Sequence, residues 1–481
     1  MKIETIPFCK TGYFSSLICD YLEKDEKVSS FYNNFPNIEG FKKQIDIKRN
    51  SKQVSDANRK ILVNSLKNQY KNIVASKKSQ QNIELLLKEN AFTITTGHQL
   101  NLFTGPLYFL YKIITTINLA AQLKREFPKE NFVPIYWMAT EDHDFEEINY
   151  FNFGRKKIVW NKENAGAIGH FSTEGLEEVY NIFEKELDSS NNSKYLKNLF
   201  KKAYLHHHNL TEATRYLANE LFGKYGLVIV DGDDVALKKQ FIPYLQNEML
   251  NFTSFKEVTA VNNKLAKDYF IQVNPRDLNL FYLSDTTRER IIYENGHYKV
   301  LNTDILWTKD EMLQEINKYP ERFSPNVLLR PLYQEVVLPN LCYIGGGGEM
   351  AYWLQLKEYF NAVKVQFPIL LLRNSVLIIS EKQQKKIQKL ELSINDIFLK
   401  QEKLIVKKTK ELSQIDIDFS YQKEHLKQQF KALYELAEQT DKSFLGAVKA
   451  QEVKQVKGLE NLEKRLLKAQ KRKLSERLQQ I

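Results

Sequence analysis

The fold of this chain is decided by residues 91–144, which read AFTITTGHQLNLFTGPLYFLYKIITTINLAAQLKREFPKENFVPIYWMATEDHD. The β-branched run at 91–96 predicts a strand, and FVPIYWMA at 132–139 predicts a second strand that is covered on both faces. Between them, TGP at 104–106 predicts the start of a helix that runs to about Lys124, with threonine as its cap. Together these elements form a βαβ unit, and open α/β sheets bind ligands at the carboxyl ends of such strands.

Further segments extend this pattern along the chain. Residues 227–234, LVIVDGDD, predict another buried strand that ends in acidic residues. Residues 323–380 predict a helix, the strand LCYI, a four-glycine loop, a second helix and a final strand at 370–379. The dipeptide Asn295-Gly296 between two apolar runs predicts a β-hairpin in an inserted subdomain. The chain is therefore predicted to be an α/β protein.

From residue 381 onward the sequence predicts helices only. Ile387, Leu390, Ile394 and Ile397 follow heptad spacing, and a long helix follows a break further along the chain. Two long helices in this arrangement predict an antiparallel coiled coil. The sequence predicts four regions. Residues 1–150 form a helical cover with the first half of the core, and residues 151–322 form an inserted connecting region with a further core strand and the hairpin. Residues 323–380 form the second half of the core with the glycine-rich loop, and residues 381–481 form the coiled coil.

The net charge of the chain is +11, from 70 Lys and Arg against 59 Asp and Glu. Residues 381–481 hold 23 basic and 15 acidic side chains, a net +8, so the rest of the chain carries only +3. We interpret this excess as the solvated surface of the coiled coil and predict no nucleic-acid partner. The sequence has no apolar signal core, and its most apolar long window, 100–123, contains Lys112. We therefore expect a cytoplasmic protein without membrane contact.

Four polar residues, Glu141, Asp142, His143 and Asp144, directly follow the second predicted strand. Carboxylates so close together raise one another's pKa unless a cation is bound. The cluster could hold a substrate ammonium, hold a divalent metal or act as a general base, and a plain surface turn is the alternative. Because neither an HExxH nor a CxxC pattern occurs, we predict no structural metal site.

Two loops resemble anion-binding sites. The first, TGHQ at 96–99, joins a strand to a helix N-terminus, where His98 could donate a hydrogen bond to a phosphate. Synthetase-type enzymes place two histidines at this point and this chain has one, so a hydrogen-bonded loop histidine is equally compatible with the sequence. The second, GGGGE at 345–349, lets backbone approach a phosphate or sugar but lacks the Lys-Ser/Thr of a P-loop. Arg330 is a candidate clamp for carboxylate or phosphate.

Three blocks follow one another along the chain: TTGHQLNLFTGPLYFLYKIITTINLA, VPIYWMATEDHDFEEIN and FSPNVLLRPLYQEVVLPNLCYIGGGGEMAYWLQLK. Together they resemble the BshC family, the cysteine-adding enzymes of bacillithiol biosynthesis. The resemblance implies a Rossmann-like nucleotidylyltransferase-type core with inserted connecting subdomains and a C-terminal antiparallel coiled coil that forms a homodimer. It also implies amide formation between cysteine and glucosaminyl-malate, with ATP, with or without Mg²⁺, to activate the carboxylate.

Residue patterns and resemblance together predict a set of site residues. The family often has Gln at position 98 and Pro at position 347, which shifts the catalytic prediction from His98 to the acidic cluster. The predicted catalytic residues are Glu141, Asp142, His143 and Asp144, and the predicted substrate or nucleotide ligands are Thr96, Gly97, His98, Gln99, Thr104, Gly105, Arg330, Gln334, Gly345, Gly346, Gly347, Gly348 and Glu349.

Two other classes of function remain open from the sequence. A nucleotidylyltransferase or tRNA-acting enzyme with a synthetase-like core would bind RNA in a salt-dependent manner. A non-catalytic coiled-coil scaffold would keep full function when Asp142 or His143 is replaced by alanine.

Overall fold

The computed structural model describes residues 3–51, 53–162, 166–284, 286–440 and 442–479. The chain divides into two compact units. One unit comprises Ser15–Val376, and the other joins the N-terminal residues 1–14 to residues 377–481.

The unit formed by residues 15–376 contains all the strands that the structure describes. In chain order they are β1 (Ala91–His98), β2 (Asn131–Met138), β3 (Tyr150–Phe153), β4 (Lys156–Val159), β5 (Val228–Asp231), β6 (Leu280–Leu283), β7 (Arg288–Glu294), β8 (His297–Val300), β9 (Leu306–Trp307), β10 (Phe323–Pro325), β11 (Asn340–Gly345) and β12 (Ile369–Leu372). Its α-helices are α1 (Ser16–Glu23), α2 (Glu26–Ser29), α3 (Ile38–Ser51), α4 (Asp56–Gln69), α5 (Lys77–Leu85), α6 (Tyr108–Glu126), α7 (Phe145–Ile148), α8 (Leu176–Glu186), α9 (Asn191–Phe200), α10 (Leu210–Phe222), α11 (Val235–Asn251), α12 (Thr253–Leu265), α13 (Lys309–Lys318), α14 (Arg330–Val337), α15 (Gly347–Leu354) and α16 (Lys357–Ala362).

A parallel sheet forms the centre of this unit. Its strand order is β12-β11-β1-β2-β5, and every neighbouring pair is parallel. The chain runs outward from β1 through β2 to β5, then returns to the other side of β1 with β11 and β12. The direction of winding therefore reverses between β1 and β11, and such a switch point opens a crevice at the carboxyl ends of the strands. The predicted α/β class and Rossmann-like core are confirmed.

The sheet core explains why the strand sequences are almost continuously apolar. Strand β1 is buried along its whole length, and α6 covers one face of the sheet. Phe92 and Ile94 of β1 share a buried cluster with Leu119 and Leu123 of α6 and with Leu341 of β11. Side chains buried on both faces of a parallel sheet lose the polar alternation of a half-exposed strand.

Two predicted element boundaries are wrong. Helix α6 begins at Tyr108, because Thr104 and Gly105 adopt positive φ angles of 69° and 56° and form a tight turn, not a helix cap. A Cβ at Gly105 would lie 2.5 Å from the Cβ of Asn101, so the turn requires glycine there. Strand β12 ends at Leu372 and not at residue 379, and residues 374–378 are exposed.

A second sheet of five antiparallel strands spans residues 280–325, in the order β10-β6-β7-β8-β9. Asn295 and Gly296, with φ angles of 50° and 81°, join β7 to β8. Positive φ at both central residues is typical of the tight turn that matches the twist of a hairpin. The predicted β-hairpin is confirmed, and it is one part of a larger sheet.

The other unit is helical. Its α-helices are α17 (Glu381–Lys389), α18 (Gln401–Leu412), α19 (Ser420–Ala437), α20 (Lys442–Lys473) and α21 (Ser475–Leu478). Helices α19 and α20 are antiparallel: Lys423 pairs with Glu463 at 2.5 Å, and eleven residues later Tyr434 donates to Glu452 at 2.7 Å. Phe430, Ala437 and Val448 are buried between the two helices. The predicted C-terminal antiparallel coiled coil is confirmed, but α20 pairs with α19 and not with the helix predicted over residues 387–397.

The predicted heptad seam from Ile387 to Ile397 is wrong, because these residues do not lie on one helix. Helix α17 ends at Lys389, and Glu391 adopts a positive φ of 52°. The side chain of Asp396 then accepts hydrogen bonds from the backbone N–H and hydroxyl of Ser393, at 2.9 and 2.7 Å, which starts a separate short turn. Within the described ranges, no helix has the length and apolar character that a membrane crossing requires.

Candidate functional site

A cavity of about 600 Å³ opens at the carboxyl ends of β1, β2 and β11, beside the switch point of the parallel sheet. The antiparallel sheet also lines this cavity, through β6, β7 and the end of β10. The cavity lies within the unit formed by residues 15–376. The predicted residues that line it are Gly97, His98, Gln99, Glu141, Asp142, His143, Asp144, Arg330 and Glu349.

Glu141 and Asp142 are already bound to protein partners. The carboxylate of Glu141 accepts a hydrogen bond from the ammonium group of Lys238, which is fully buried. Burial raises the pKa of Glu141, and the charge of Lys238 opposes this effect. One oxygen of Asp142 accepts from Nε2 of Gln99 at 2.9 Å, and the other accepts from the backbone N–H of His143 at 2.8 Å. Both residues are therefore held in place by hydrogen bonds.

His143 and Asp144 differ in how they are bound. Nη1 of Arg288 lies 2.8 Å from Nδ1 of His143, and a guanidinium can only donate, so Nδ1 accepts. Nε2 of His143 lies 3.9 Å from the carboxylate of Asp144. Among the described residues, none makes a hydrogen bond to the side chain of Asp144. Burial and then the charge of Asp142 raise the pKa of Asp144.

The same cluster contains donor atoms that could approach a metal ion. One ligand atom each from Asp142, His143 and Asp144 lie within 4.8 Å of one another. However, the Arg288 guanidinium occupies Nδ1 of His143 and already supplies positive charge beside the carboxylates. This donor set therefore fits a resident divalent cation poorly, and a catalytic scheme for this site does not need one held there.

The ion pair between Lys112 and Glu349 joins α6 to α15 at the switch point. The ammonium of Lys112, on α6, lies 2.7 Å from Glu349 on α15 and also donates to the carbonyl of Gly97. Glu349 accepts two more hydrogen bonds, from the hydroxyl of Tyr343 at 2.6 Å and from the backbone N–H of Gly346 at 2.9 Å. Burial alone would raise the pKa of Glu349, but the charge of Lys112 and these hydrogen bonds lower it to about 2. Glu349 is therefore ionised and anchors the start of its helix.

His98 lies at the end of β1 in an apolar setting. Its ring stacks on Tyr108, with centroids 5.4 Å apart and an interplanar angle of 2°. Burial and then the charge of Lys112 lower the pKa of His98 to about 3, so the imidazole is neutral near pH 7. Its Nε2 is buried and has no hydrogen-bond partner in the described part of the chain.

Arg330 projects into the cavity from α14 and is held by two protein groups. Its Nη2 donates to the hydroxyl of Tyr352 at 3.1 Å, and its Nη1 donates to the side-chain oxygen of Gln334 at 3.1 Å. Gln334 is fully buried and does not line the cavity. Gln334 therefore positions the guanidinium of Arg330 and has no direct access to a bound molecule.

Several predicted ligands lie outside the cavity lining. The hydroxyl of Thr96 donates to the carbonyl of Ile344 at 2.8 Å and connects two strands. A Cβ at Gly345 would lie 3.0 Å from the Cβ of Glu349, so this glycine allows close helix–strand packing. The other predicted residues outside the lining are Thr104, Gly105, Gly346, Gly347 and Gly348. A ligand role for these residues stays a prediction.

The chain is similar to one protein family along its whole length. A family model described as "Bacillithiol biosynthesis BshC, N-terminal Rossmann-like domain" matches residues 1–374, and one described as "Bacillithiol biosynthesis BshC, C-terminal coiled-coil domain" matches residues 376–481. This chain belongs to the BshC family.

Relatives across the whole length agree with the BshC assignment. A protein of Flavobacterium psychrophilum named "Putative cysteine ligase BshC" is 60% identical over all of this chain and 90% of its own length. A protein of the same name from Flavobacterium johnsoniae is 59% identical over the same shares, and one from Cytophaga hutchinsonii is 38% identical over 98% of this chain and 88% of its own length. The chain therefore has a role in bacillithiol biosynthesis.

Sequence analysis missed the basic side of this BshC cavity. Arg276, Arg288 and Arg290 also line it. The run RER at 288–290 carries a signal, because residues two apart in a strand lie on the same face. That signal was missed because the inserted sheet lies far from the acidic cluster in sequence.

Proposed function

We propose that this chain is a ligase that joins L-cysteine to glucosaminyl-malate through an amide bond, in the last step of bacillithiol biosynthesis. The names of its BshC relatives support a cysteine ligase. The observation that carries the proposal is the cavity, whose lining contains both carboxylates, at Glu141, Asp142 and Asp144, and guanidinium groups, at Arg276, Arg290 and Arg330. Such a lining suits a molecule with an ammonium group and a molecule with carboxylates, as the two substrates together require.

Amide formation here joins the carboxyl carbon of cysteine to the amine nitrogen of the glucosamine ring. The C–N bond forms, one C–O bond of the cysteine carboxylate breaks, and the amine loses a proton. ATP supplies the activation of this carboxylate, by transfer of an adenylyl or a phosphoryl group. Two groups at the switch point fit an anionic, hydrogen-bonding molecule of this kind: the unpartnered Nε2 of His98 and the guanidinium of Arg330.

The acidic wall suits the amine partner. Asp142 and Asp144 carry negative charge that attracts an ammonium group, and a carboxylate there can take the proton that the amine loses. His143 keeps Nδ1 bound to Arg288, so it is less able to accept this proton at that atom. Under this proposal the acidic cluster both orients the amine and removes its proton.

Reconstitution with defined substrates tests the proposal. The purified chain is incubated with glucosaminyl-malate, L-cysteine and ATP, and bacillithiol is measured by mass spectrometry of labelled thiols. We expect ATP-dependent product, with AMP or ADP identifying the group transferred. Asp144→Asn should lose most product, whereas Asp304→Asn, an exposed carboxylate outside the cavity, should retain it. No bacillithiol from verified substrates, with the chain folded, would rule the proposal out.

A further inference from the structure

Strand β7 presents two arginines to the cavity. Arg288 and Arg290 are two residues apart, so their side chains lie on the same face of the strand, about 7 Å apart along it. Arg288 is fully engaged: besides His143, it donates to the hydroxyl of Ser324 at 3.1 Å and to the carbonyl of Pro325 at 3.3 Å. Arg290, in contrast, is not bound to a protein group in the described ranges.

Arg290 faces another arginine and no carboxylate. Its guanidinium makes no ion pair or hydrogen bond with any residue in the described ranges, and the same holds for Arg276, which also lines the cavity. Both residues line the same cavity, and burial and then the charge of Arg276 lower the pKa of Arg290.

The other cationic groups of the cavity are bound to protein partners. Lys112 pairs with Glu349, Arg330 donates to Tyr352, and Arg288 donates to His143. Arg276 and Arg290 are therefore the exception within the described lining. A guanidinium matches a carboxylate with two parallel hydrogen bonds, so a pair of them matches a molecule with two carboxylates.

We propose that Arg276 and Arg290 bind the two carboxylates of the malyl group of the amine substrate. This inference rests on the proposed function and names the residues that select a dicarboxylate. Arg288, two residues from Arg290 on β7, contacts His143 of the acidic cluster, so the rest of the substrate extends toward Asp142 and Asp144. Arg330, predicted from the sequence as a clamp for carboxylate or phosphate, then remains for the cysteine or the ATP.

Direct binding tests the pair without turnover. Isothermal titration of the full chain with L-malate, and with L-lactate as a monocarboxylate, should show clear preference for malate. Arg276→Gln and Arg290→Gln should each weaken malate binding at least tenfold and remove the preference, while Arg290→Lys should restore part of it. Arg125→Gln, an exposed arginine at the far end of α6, is the control with the same loss of charge and should bind malate like the wild type.

Steady-state kinetics completes the test. Both variants should raise KM for glucosaminyl-malate at least tenfold and leave KM for cysteine and ATP unchanged. Wild-type KM and wild-type malate affinity in both folded variants would overturn the inference while the ligase proposal stands. Malate binding that depends on both arginines, in a chain that makes no bacillithiol, would support the dicarboxylate site and reject the ligase proposal instead. Loss of malate binding in Arg330→Gln alone would also overturn the inference.

Discussion

Asp144 is the member of the acidic cluster whose carboxylate is left without a hydrogen bond from the described residues, whereas Glu141 pairs with Lys238 and Asp142 accepts two hydrogen bonds. We therefore expect Asp144 to take the proton from the attacking amine. Asp144→Asn should lower kcat by about 10²–10⁴-fold, the range for loss of a general base, with little change in KM. His143→Gln is the matched comparison and should cost less, because Arg288 holds its Nδ1. Equal losses in both variants would contradict this assignment.

The pH dependence of the reaction tests the role of Asp144 independently. Because burial and Asp142 raise the pKa of Asp144, the basic form is lost as pH falls through that raised value. The rate should therefore fall on the acidic side of the kcat/KM profile. Asp142→Asn removes the second-largest of the causes that raise this pKa and should move the acidic limb to lower pH. A limb that stays in place when Asp142 is neutral would mean that another group controls it.

His98 should make folding sensitive to acid. Its folded pKa of about 3 lies below the ordinary 6.5, so the unfolded chain binds a proton at higher pH than the folded chain does. The stability that depends on neutral His98 is present above pH 6.5 and decreases as pH falls toward 3. His98→Gln should weaken this acid sensitivity, as measured by urea unfolding between pH 7 and pH 4. Identical pH dependence in the variant would show that the ring is not buried as described.

At the level of elements, the Lys112–Glu349 pair joins α6 to α15 across the switch point. Removing one partner of a fully buried pair typically costs about 3–5 kcal/mol, and the cost is smaller here because the Glu349 side chain is 27% exposed. Lys112→Met should lower the free energy of unfolding and the urea midpoint, and adding Glu349→Gln should recover part of the loss. Lys43→Met breaks an exposed pair with Glu39 and should leave the midpoint unchanged. Equal midpoints for Lys112→Met and wild type would contradict a structural role for the pair.

Sequence patterns predicted the elements whose signal is local. Strands β1, β2, β5 and β11 were found because strands covered on both faces have nearly continuous apolar runs. The start of α6 was misplaced, because Thr104 and Pro106 also suit the positive-φ turn that precedes it. His98 lines the cavity, but its burial against Tyr108 depends on packing that no local pattern carries.

The sequence predicted the acidic residues of the site and, of its arginines, only Arg330. The reason is how the whole chain folds. Its acidic wall follows a core strand directly, so the position of the strand end was enough to find it. The other arginines lie within residues 276–290, and only folding brings these residues into the same cavity as the end of β2. The net charge of +11 was of little help, because +8 belongs to residues 381–481 and says nothing about charges within the cavity.

The helical unit is the part of the molecule that we expect to form the homodimer. Leu433 and Leu436 on α19 are 41% and 52% exposed, and residues three apart lie on one face of a helix. Exposed apolar side chains that lie together are typical of an interface, and identical chains most often pair as closed dimers. We therefore expect Leu433→Glu with Leu436→Glu to convert a dimer into a monomer in sedimentation velocity experiments.

A matched variant separates this effect from charge alone. Gln428→Glu with Lys431→Gln also lowers the net charge by two, on the other side of the same helix, at exposed positions. It should remain dimeric at the concentrations where the leucine variant dissociates. Circular dichroism should show equal helix content in both variants, because neither change touches Phe430, Ala437 or Val448 in the buried contact between α19 and α20. A leucine variant that stays dimeric while folded would place the dimer interface on another surface.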